Sequence, residues 1–319
     1  MVAKAYHPIS LLECCGKLLE KIVAAQFSWE VDHLDLIGGS QFGSRHLFST
    51  PDAALALCYK AETTILHKRI GAVLLFDISR FFDHLQPTLI HTTLLDLGVD
   101  PHMVSWVISF MSQCSATLSF NGFTSDTFFP DMGMPQGSPL SPILSVLITS
   151  PLFHAFKVLF DDSDLTLYVD DGCLYASGPT FISAAAKVTH AFETILDLLR
   201  CMGLEINVDK TELMFFTPPR ASSSPSHPTF GARPFSITIS LGNGKTFDIR
   251  PTHSLRYLGV FFTPKLDWSL HIKTMANQVR STVKALGVLG NSVRGLPFRS
   301  WCKLFHSIIL PILTYGSSV

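Results

Sequence analysis

Apolar and polar positions along this chain follow two periods, and the switches between them lay out its elements. Residues 9–30 place Leu12, Leu18, Leu19, Ile22 and Val23 at helical spacing, which predicts a helix with that side turned to a core. A second helix is expected over 51–68, opening on Pro51 with Asp52 in its first turn. IGAVLLFDIS (70–79) is short, apolar and rich in β-formers, the pattern of a buried strand, with Asp77 near its C-terminal end. Helices over 87–97 and 101–113 follow, the second with Asp100 as cap and Pro101 in its first turn. TLSFNGFTSDTFFP alternates around Asn121-Gly122, the signature of a hairpin.

The run PLSPILSVLITSPLFHAF (139–156) is interrupted by Ser, Thr, Pro and His, so it reads as a buried helix rather than a membrane span. LTLYVDDGCLYA (165–176) reads as a hairpin, and a helix is expected over 180–202. Gly203 ends that helix, and GLEINVDKTELMFF (203–216) finishes as a strand. TPPRASSSPSHPTFGARP (217–234) is Pro/Ser-rich, the composition of a surface loop. SITISLGNGKTFDI reads as a hairpin turning at Gly242-Asn243-Gly244, RYLGVFF as a further strand, and helices dominate from 268. Strand, helices, hairpin, helix, strand is the order of a split βαβ unit. The expected class is α+β, a ferredoxin-like antiparallel sheet packed on helices.

At 319 residues the chain is long enough for two or three subdomains, and 47% hydrophobic with 15% charged residues excludes a disordered chain. Its seven cysteines form no CxxC pair, which argues against a structural zinc or disulfide framework and for a reducing compartment. The N-terminus lacks a signal-peptide pattern, and no targeting signal is visible. The net charge of −1 conceals two unlike halves. Residues 1–199 hold 10 Lys+Arg and 20 Asp+Glu, net −10, whereas residues 200–319 hold 14 and 5, net +9. An acidic half built around carboxylates and a basic half able to bind phosphates is one reading; a solvated basic surface is the other.

Asp170-Asp171-Gly172 also has two readings. Asp-Gly is turn chemistry, because Gly accepts φ > 0. Equally, two carboxylates at a hairpin tip suit a divalent cation. Asp77 lies 93 positions earlier at a strand end, where it could simply cap the next segment. In a ferredoxin-like sheet, however, the first strand and the central hairpin are neighbours, so their tips bring Asp77, Asp170 and Asp171 together. Clustered carboxylates repel unless a cation neutralises them. Oxygen-only ligands favour Mg²⁺, and two such ions suit phosphoryl transfer.

FDISRFFD (76–83), GMPQGSPLSP (133–142), YVDD (168–171), GLEINVDKTE (203–212) and LRYLGVFF (255–262) resemble successive motifs of a reverse transcriptase. With YHPISLLECCGKLLEKIV and QFGSR before them and ILPILTYG after, the series is similar to the polymerase of non-LTR (LINE-like) retrotransposons of fungal type. The resemblance implies a right-hand polymerase: partial fingers over 1–69, a palm over 70–267 and a partial helical thumb over 268–319. It implies two Mg²⁺ ions, with Mn²⁺ as a substitute, held by Asp77, Asp170, Asp171 and the Ile78 carbonyl. Lys210 would protonate departing pyrophosphate, and Phe82 would exclude a 2′-hydroxyl. Gln136, Gly137, Arg45 and Arg80 would bind the nucleotide. Pro135, Ser138, Tyr257, Leu258 and Gly259 would meet nucleic acid.

The implied partners are an RNA template, a DNA primer and dNTPs, with no membrane and a nuclear location. An endonuclease domain would precede this segment in the full-length element and is absent here. Two departures stand out: His7 replaces the family's triphosphate-contacting Arg, and SRHLFST keeps only Arg45 of a usual Arg/Gly patch. The alternative expectation is a truncated, catalytically inactive remnant that only binds nucleic acid.

Overall fold

The computed structural model describes residues 9–34, 36–37, 40–112, 114–130, 133–218, 229–230, 233–234, 236–242, 244–287 and 295–319. In chain order they form α1 (Cys14–His33), α2 (Thr50–Leu66), β1 (Ile70–Ser79), α3 (Phe81–His84), α4 (Pro87–Asp96), α5 (Pro101–Met111), β2 (Ser119–Phe120) and β3 (Phe123–Thr124). Then come α6 (Ser141–Leu159), β4 (Ser163–Tyr168), β5 (Asp171–Gly178), α7 (Phe181–Cys201), β6 (Glu205–Ile206) and β7 (Glu212–Phe216). The hairpins β8 (Thr229–Phe230) with β9 (Arg233–Pro234), β10 (Ile237–Ser240) with β11 (Thr246–Ile249), and β12 (Leu255–Tyr257) with β13 (Val260–Phe262) precede α8 (Ser269–Leu286). Two shorter helices follow, α9 (Phe298–Leu304) and α10 (Leu310–Thr314).

Local chemistry sets the boundaries. Asp100 caps α5, its Oδ1 accepting from the N–H of His102 at 2.8 Å, and Pro101 supplies the first turn. Ahead of α2, the Ser49 N–H donates to Asp52 Oδ2 at 2.7 Å.

The central sheet is antiparallel throughout. β1 pairs with β5 on one side and with β7 and β6 on the other, and β4 flanks β5. This is the ferredoxin-like order expected from the sequence. Because strand side chains alternate, β1 serves two cores. Ala72, Leu74, Phe76 and Ile78 point into the larger one with α6 and α7. Val73 and Leu75 point the other way, with Cys173, Tyr175 and Phe216, against α2 and the β12–β13 hairpin. Helix α6 is the one described helix long and apolar enough to cross a membrane, yet 61% of that stretch is buried inside the protein.

Two expectations need correction. The apolar side anticipated for the first helix is largely exposed at Leu18, Leu19 and Ile22; Glu20, Phe27 and Val31 are buried instead. Glu20 can turn inward because Ser138 donates to its carboxylate, which satisfies a charge that burial alone would penalise. RYLGVFF is not one strand but the hairpin β12–β13, turning at Leu258 (φ 46°) and Gly259 (φ 87°). Two adjacent left-handed residues make the tight turn whose twist suits paired strands. His7, Asn243 and most of the Pro/Ser-rich segment 217–234 lie outside the described residues.

Candidate active site

Register brings the aspartates together. Asp77 on β1 stands directly opposite Asp171 on β5, so both leave the same face of the sheet. That is the face covered further along by α2 and β12–β13. Asp170 lies in the two-residue connection from Tyr168 to Asp171, and its carbonyl accepts from the Ile78 N–H at 3.1 Å. The Asn207 N–H donates to the Asp77 carbonyl at 2.8 Å, which starts the turn that delivers Lys210. Lys210 Nζ then lies 3.0 Å from Asp77 Oδ2, with 62% of the Lys side chain exposed and 19% of that of Asp77.

The turn itself is not built as Asp-Gly chemistry suggests. Gly172 is a strand residue paired with Phe76, and the left-handed residue is Val169, at φ 63°. A β-branched side chain there costs on the order of 1–2 kcal/mol, so the surroundings must hold it. Gly172 is needed for room: a Cβ there would stand 2.2 Å from the Phe76 ring.

Burial is the main effect raising the Asp170 carboxyl above its ordinary value, and the Asp77 charge adds to it. Burial and the charges of Asp170 and Asp77 push Asp171 up to about 6. Residue Asp171 is exposed at the open end of the sheet, so water screens part of that repulsion. Crowded carboxylates with a lysine leaning on one of them are a donor set short of positive charge, which suits a hard divalent cation. Among the described residues, no group of three or more His, Cys, Asp or Glu is placed to hold a metal ion by itself. Mg²⁺ fits such a partial set, because it takes one or two carboxylates and fills its shell with water and phosphate.

A pH dependence follows. In the folded chain Asp171 holds its proton more tightly than the ordinary carboxyl at 3.8, so protonation favours the fold. That contribution is present at low pH and is lost as pH rises through about 6. In EDTA, Asp171→Asn is expected to raise the melting temperature at about pH 7.5, with about half of that gain left at about pH 5 and none below the ordinary carboxyl value. A melting-temperature difference that stays flat across this range contradicts the repulsion.

The PQG loop is strapped to the site through α3. The Met134 N–H donates to the Phe82 carbonyl at 2.7 Å, and Gln136 Nε2 donates to Asp83 Oδ1 at 3.3 Å. Phe82 is half-buried, edge-on to Phe81 at 5.5 Å, and Arg80 is exposed in a left-handed conformation. On its other side the loop meets the N-terminal segment, where the Ser10 N–H donates to the Gln136 carbonyl at 2.7 Å. Gly137 (φ 120°) is exposed, and a Cβ on it would stand 2.9 Å from the Ser10 carbonyl. Pro135 and Gln136 are half-buried at the loop surface.

Three expected contact residues are placed differently. Ser138 is buried and its hydroxyl is committed to Glu20, so it braces the loop. Arg45 lies 3.9 Å from Asp32, stacks 4.4 Å over Phe48 and donates to the Gln41 carbonyl, leaving its side chain 11% exposed. Tyr257 is buried in the second core, its hydroxyl without a partner among the described residues, so it is Leu258 and Gly259 that reach the turn's half-buried surface. Burial holds the Tyr257 hydroxyl well above its ordinary range.

Sequence reasoning missed Tyr315 and Gln41. Tyr315 Oη donates to the Leu258 carbonyl at 2.6 Å and meets Thr50 Oγ1 at 2.9 Å, which ties the β12–β13 turn to the start of α2. Gln41 sits beneath the aspartate turn, its Oε1 3.4 Å from the Val169 N. Both fell within quoted motifs, ILPILTYG and QFGSR, but nothing in periodicity or charge singles out a buried hydroxyl or amide.

Residues 3–262 match the family described as "Reverse transcriptase (RNA-dependent DNA polymerase)". The chain belongs to this family. It is 25% identical over 319 residues to the RNA-directed DNA polymerase from mobile element jockey of Drosophila melanogaster, covering 99% of this chain and 33% of that protein. It is also 27% identical over 203 residues to the Pol polyprotein from the type-2 element R2DM of the same fly, covering 62% of this chain and 18% of that protein. The chain thus spans about a third of the length of the curated jockey relatives. Among solved structures, the apo telomerase of Candida tropicalis superposes with a TM-score of 0.53 at 14% identity, covering 78% of this chain and 40% of that one. That likeness shows the α+β right-hand polymerase fold, whose palm is the ferredoxin-like sheet. Reverse transcriptases use divalent metals, which agrees with the acidic donor set.

Proposed function

We propose that this chain is the polymerase segment of a non-LTR retrotransposon, an RNA-directed DNA polymerase that extends a primer 3′-hydroxyl with dNTPs on an RNA template. The observation that carries this reading is the pairing of Asp77 with Asp171, beside Asp170, with Lys210 Nζ 3.0 Å from Asp77. Asp77, Asp170 and Asp171, with the Ile78 carbonyl, would hold two Mg²⁺ ions or, in their place, Mn²⁺. When bound, such ions stabilise charge on the attacking hydroxyl and on the leaving pyrophosphate.

The chain's own residues do the rest. Lys210 carries a proton at Nζ to the pyrophosphate. Phe82 closes the floor beneath the sugar and rejects a 2′-hydroxyl. Pro135, Gln136 and Gly137 face the new base pair, Arg80 meets phosphate, and Leu258 with Gly259 supports the primer end. Lys273, Arg280 and Lys284 on α8 supply positive charge for the duplex backbone. In this reading residues 1–69 are partial fingers, 70–267 palm and 268–319 partial thumb. The full-length element would add an upstream endonuclease and act in the nucleus, away from any membrane.

A second reading, an inactive remnant that only binds nucleic acid, draws on Arg45 being engaged inside the protein. Extension of oligo(dT) on poly(rA) in Mg²⁺ or Mn²⁺ separates the two. Activity supports the polymerase, and binding without extension leaves the remnant.

Lys210 gives a sharper expectation. Its ammonium occupies the carboxylate that the cation needs, so Lys210→Met removes both a proton donor and a competitor. We expect nucleotide incorporation to slow by about a hundredfold, while Mn²⁺ binds more tightly than to the wild type. Rapid-quench incorporation and Mn²⁺ titration measure the two effects. Weaker Mn²⁺ binding in this variant would show that Lys210 supports the metal site instead of competing with it.

A further inference from the structure

The turn that carries Asp170 rests on a buried amide that the proposed chemistry does not use. Gln41 is fully buried. Its Oε1 accepts from the N–H of Gly43 at 3.1 Å and of Val169 at 3.4 Å. Its Nε2 donates to Thr149 Oγ1 at 3.2 Å, and that hydroxyl donates its own proton to the Ser145 and Val146 carbonyls of α6. The hydroxyl is thereby left as an acceptor toward Gln41, which fixes the end of the amide that faces the turn. Few side chains offer an acceptor on one side and a donor on the other while staying uncharged in a core.

The main chain completes the seat. The Leu167 N–H donates to the Ser40 carbonyl at 3.1 Å, and the Phe42 N–H donates to the Leu167 carbonyl at 3.0 Å. A Cβ on Gly43 would stand 2.5 Å from the Val169 nitrogen, so glycine is what lets the two segments approach. Val169 is left-handed, a conformation that its β-branched side chain resists. Released, it would relax toward extended backbone and rotate the peptide that leads into Asp170. Gln41 holds the peptide before it, through the Val169 N–H, and the Ile78 N–H holds the peptide after it, through the Asp170 carbonyl.

We propose that Gln41 is a positioning residue for the catalytic carboxylates: its amide locks the strained Val169 turn, so that Asp170 is presented in one geometry. The inference rests on reading Asp77, Asp170 and Asp171 as a divalent-metal site. The test combines Mn²⁺ binding by electron paramagnetic resonance with single-nucleotide kinetics on the intact chain. Gln41→Met keeps the volume and removes the acceptor. It is expected to weaken Mn²⁺ binding severalfold and lower kcat by about tenfold or more, with KM for the nucleotide within about twofold.

Val169→Gly, which removes the strain, is expected to recover most of both losses in the Gln41→Met background, as a filler role for Gln41 would not. Gly43→Ala keeps the N–H that the amide accepts but pushes the turn, and is expected to reproduce both losses. Wild-type behaviour of Gln41→Met, or a loss that Val169→Gly leaves intact, overturns the inference alone. Should Gln41→Met fail to fold by circular dichroism, Gly43→Ala decides: the same losses support the seat, and wild-type Mn²⁺ binding overturns it. Absence of Mn²⁺ binding by the wild-type chain overturns the metal-site reading, and this inference with it.

Discussion

Asp170→Asn is expected to abolish primer extension while leaving the fold as stable as the wild type, or slightly more so. Asparagine matches aspartate in size, and the backbone contact that fixes the turn, from the Ile78 N–H to the residue-170 carbonyl, does not involve the side chain. What disappears is one negative charge from a crowded group. In the metal-free protein that charge is a cost, since burial and the neighbouring Asp77 both raise the Asp170 carboxyl. In the proposed polymerase reaction it would be a ligand, and its loss would cost several kcal/mol of transition-state stabilisation, or about a thousandfold in rate. Stability and activity therefore move apart, which a folding defect cannot imitate. Initial rates on poly(rA)/oligo(dT), read beside melting temperature in EDTA, check both halves. Residual activity within about tenfold of wild type would remove Asp170 from the proposed chemistry.

Much of this arrangement is legible in the sequence. The strand at 70–79 was readable to the residue, because an unbroken apolar run ending in polar residues has few other homes. The strand order followed from the order of elements, and with it the meeting of Asp77 and the central hairpin. Register was not legible. Nothing in a separation of 93 positions says that Asp77 faces Asp171 rather than Asp170. The left-handed residue of the turn also escaped, because Asp-Gly is the usual signal and Val169 is among the least expected residues for that conformation.

Contacts in space decided two of the remaining differences, and an unmarked turn decided the third. Leu18 and Ile22 looked like a core face, but the inward side of α1 is set by Glu20 meeting Ser138. Arg45 looked free for phosphate, but Asp32 and Phe48 lie beside it in space. In RYLGVFF, Leu258-Gly259 lacks the Asn-Gly signature that marks such a turn, so the pattern alone looks like a single strand. Local pattern thus located the elements and the acidic residues. The partners that lock them come from segments far apart in the chain.

The glycine of YVDDG supplies the other large expected effect, in folding rather than chemistry. Gly172→Ala places a Cβ 2.2 Å from the Phe76 ring, closer than any real contact allows. The ring has little room to retreat, since Phe76 is 2% exposed and packs with its centroid 5.4 Å from that of buried Phe192. Overpacking of this kind costs about 1–3 kcal/mol, with the upper end expected at a fully enclosed ring. Phe76→Ala alone leaves a cavity and costs about 3–5 kcal/mol. Combined, the two changes relieve each other, because the added methyl enters the space the ring has left. The double variant is therefore expected to fall short of the additive loss by at least about 1 kcal/mol. Urea denaturation of the four proteins closes the cycle. Strict additivity would mean that the ring does not exclude a side chain at 172. A large coupling would tie the glycine to strand packing one residue away from the carboxylate pair, since Phe76–Gly172 and Asp77–Asp171 are successive pairs of the same ladder.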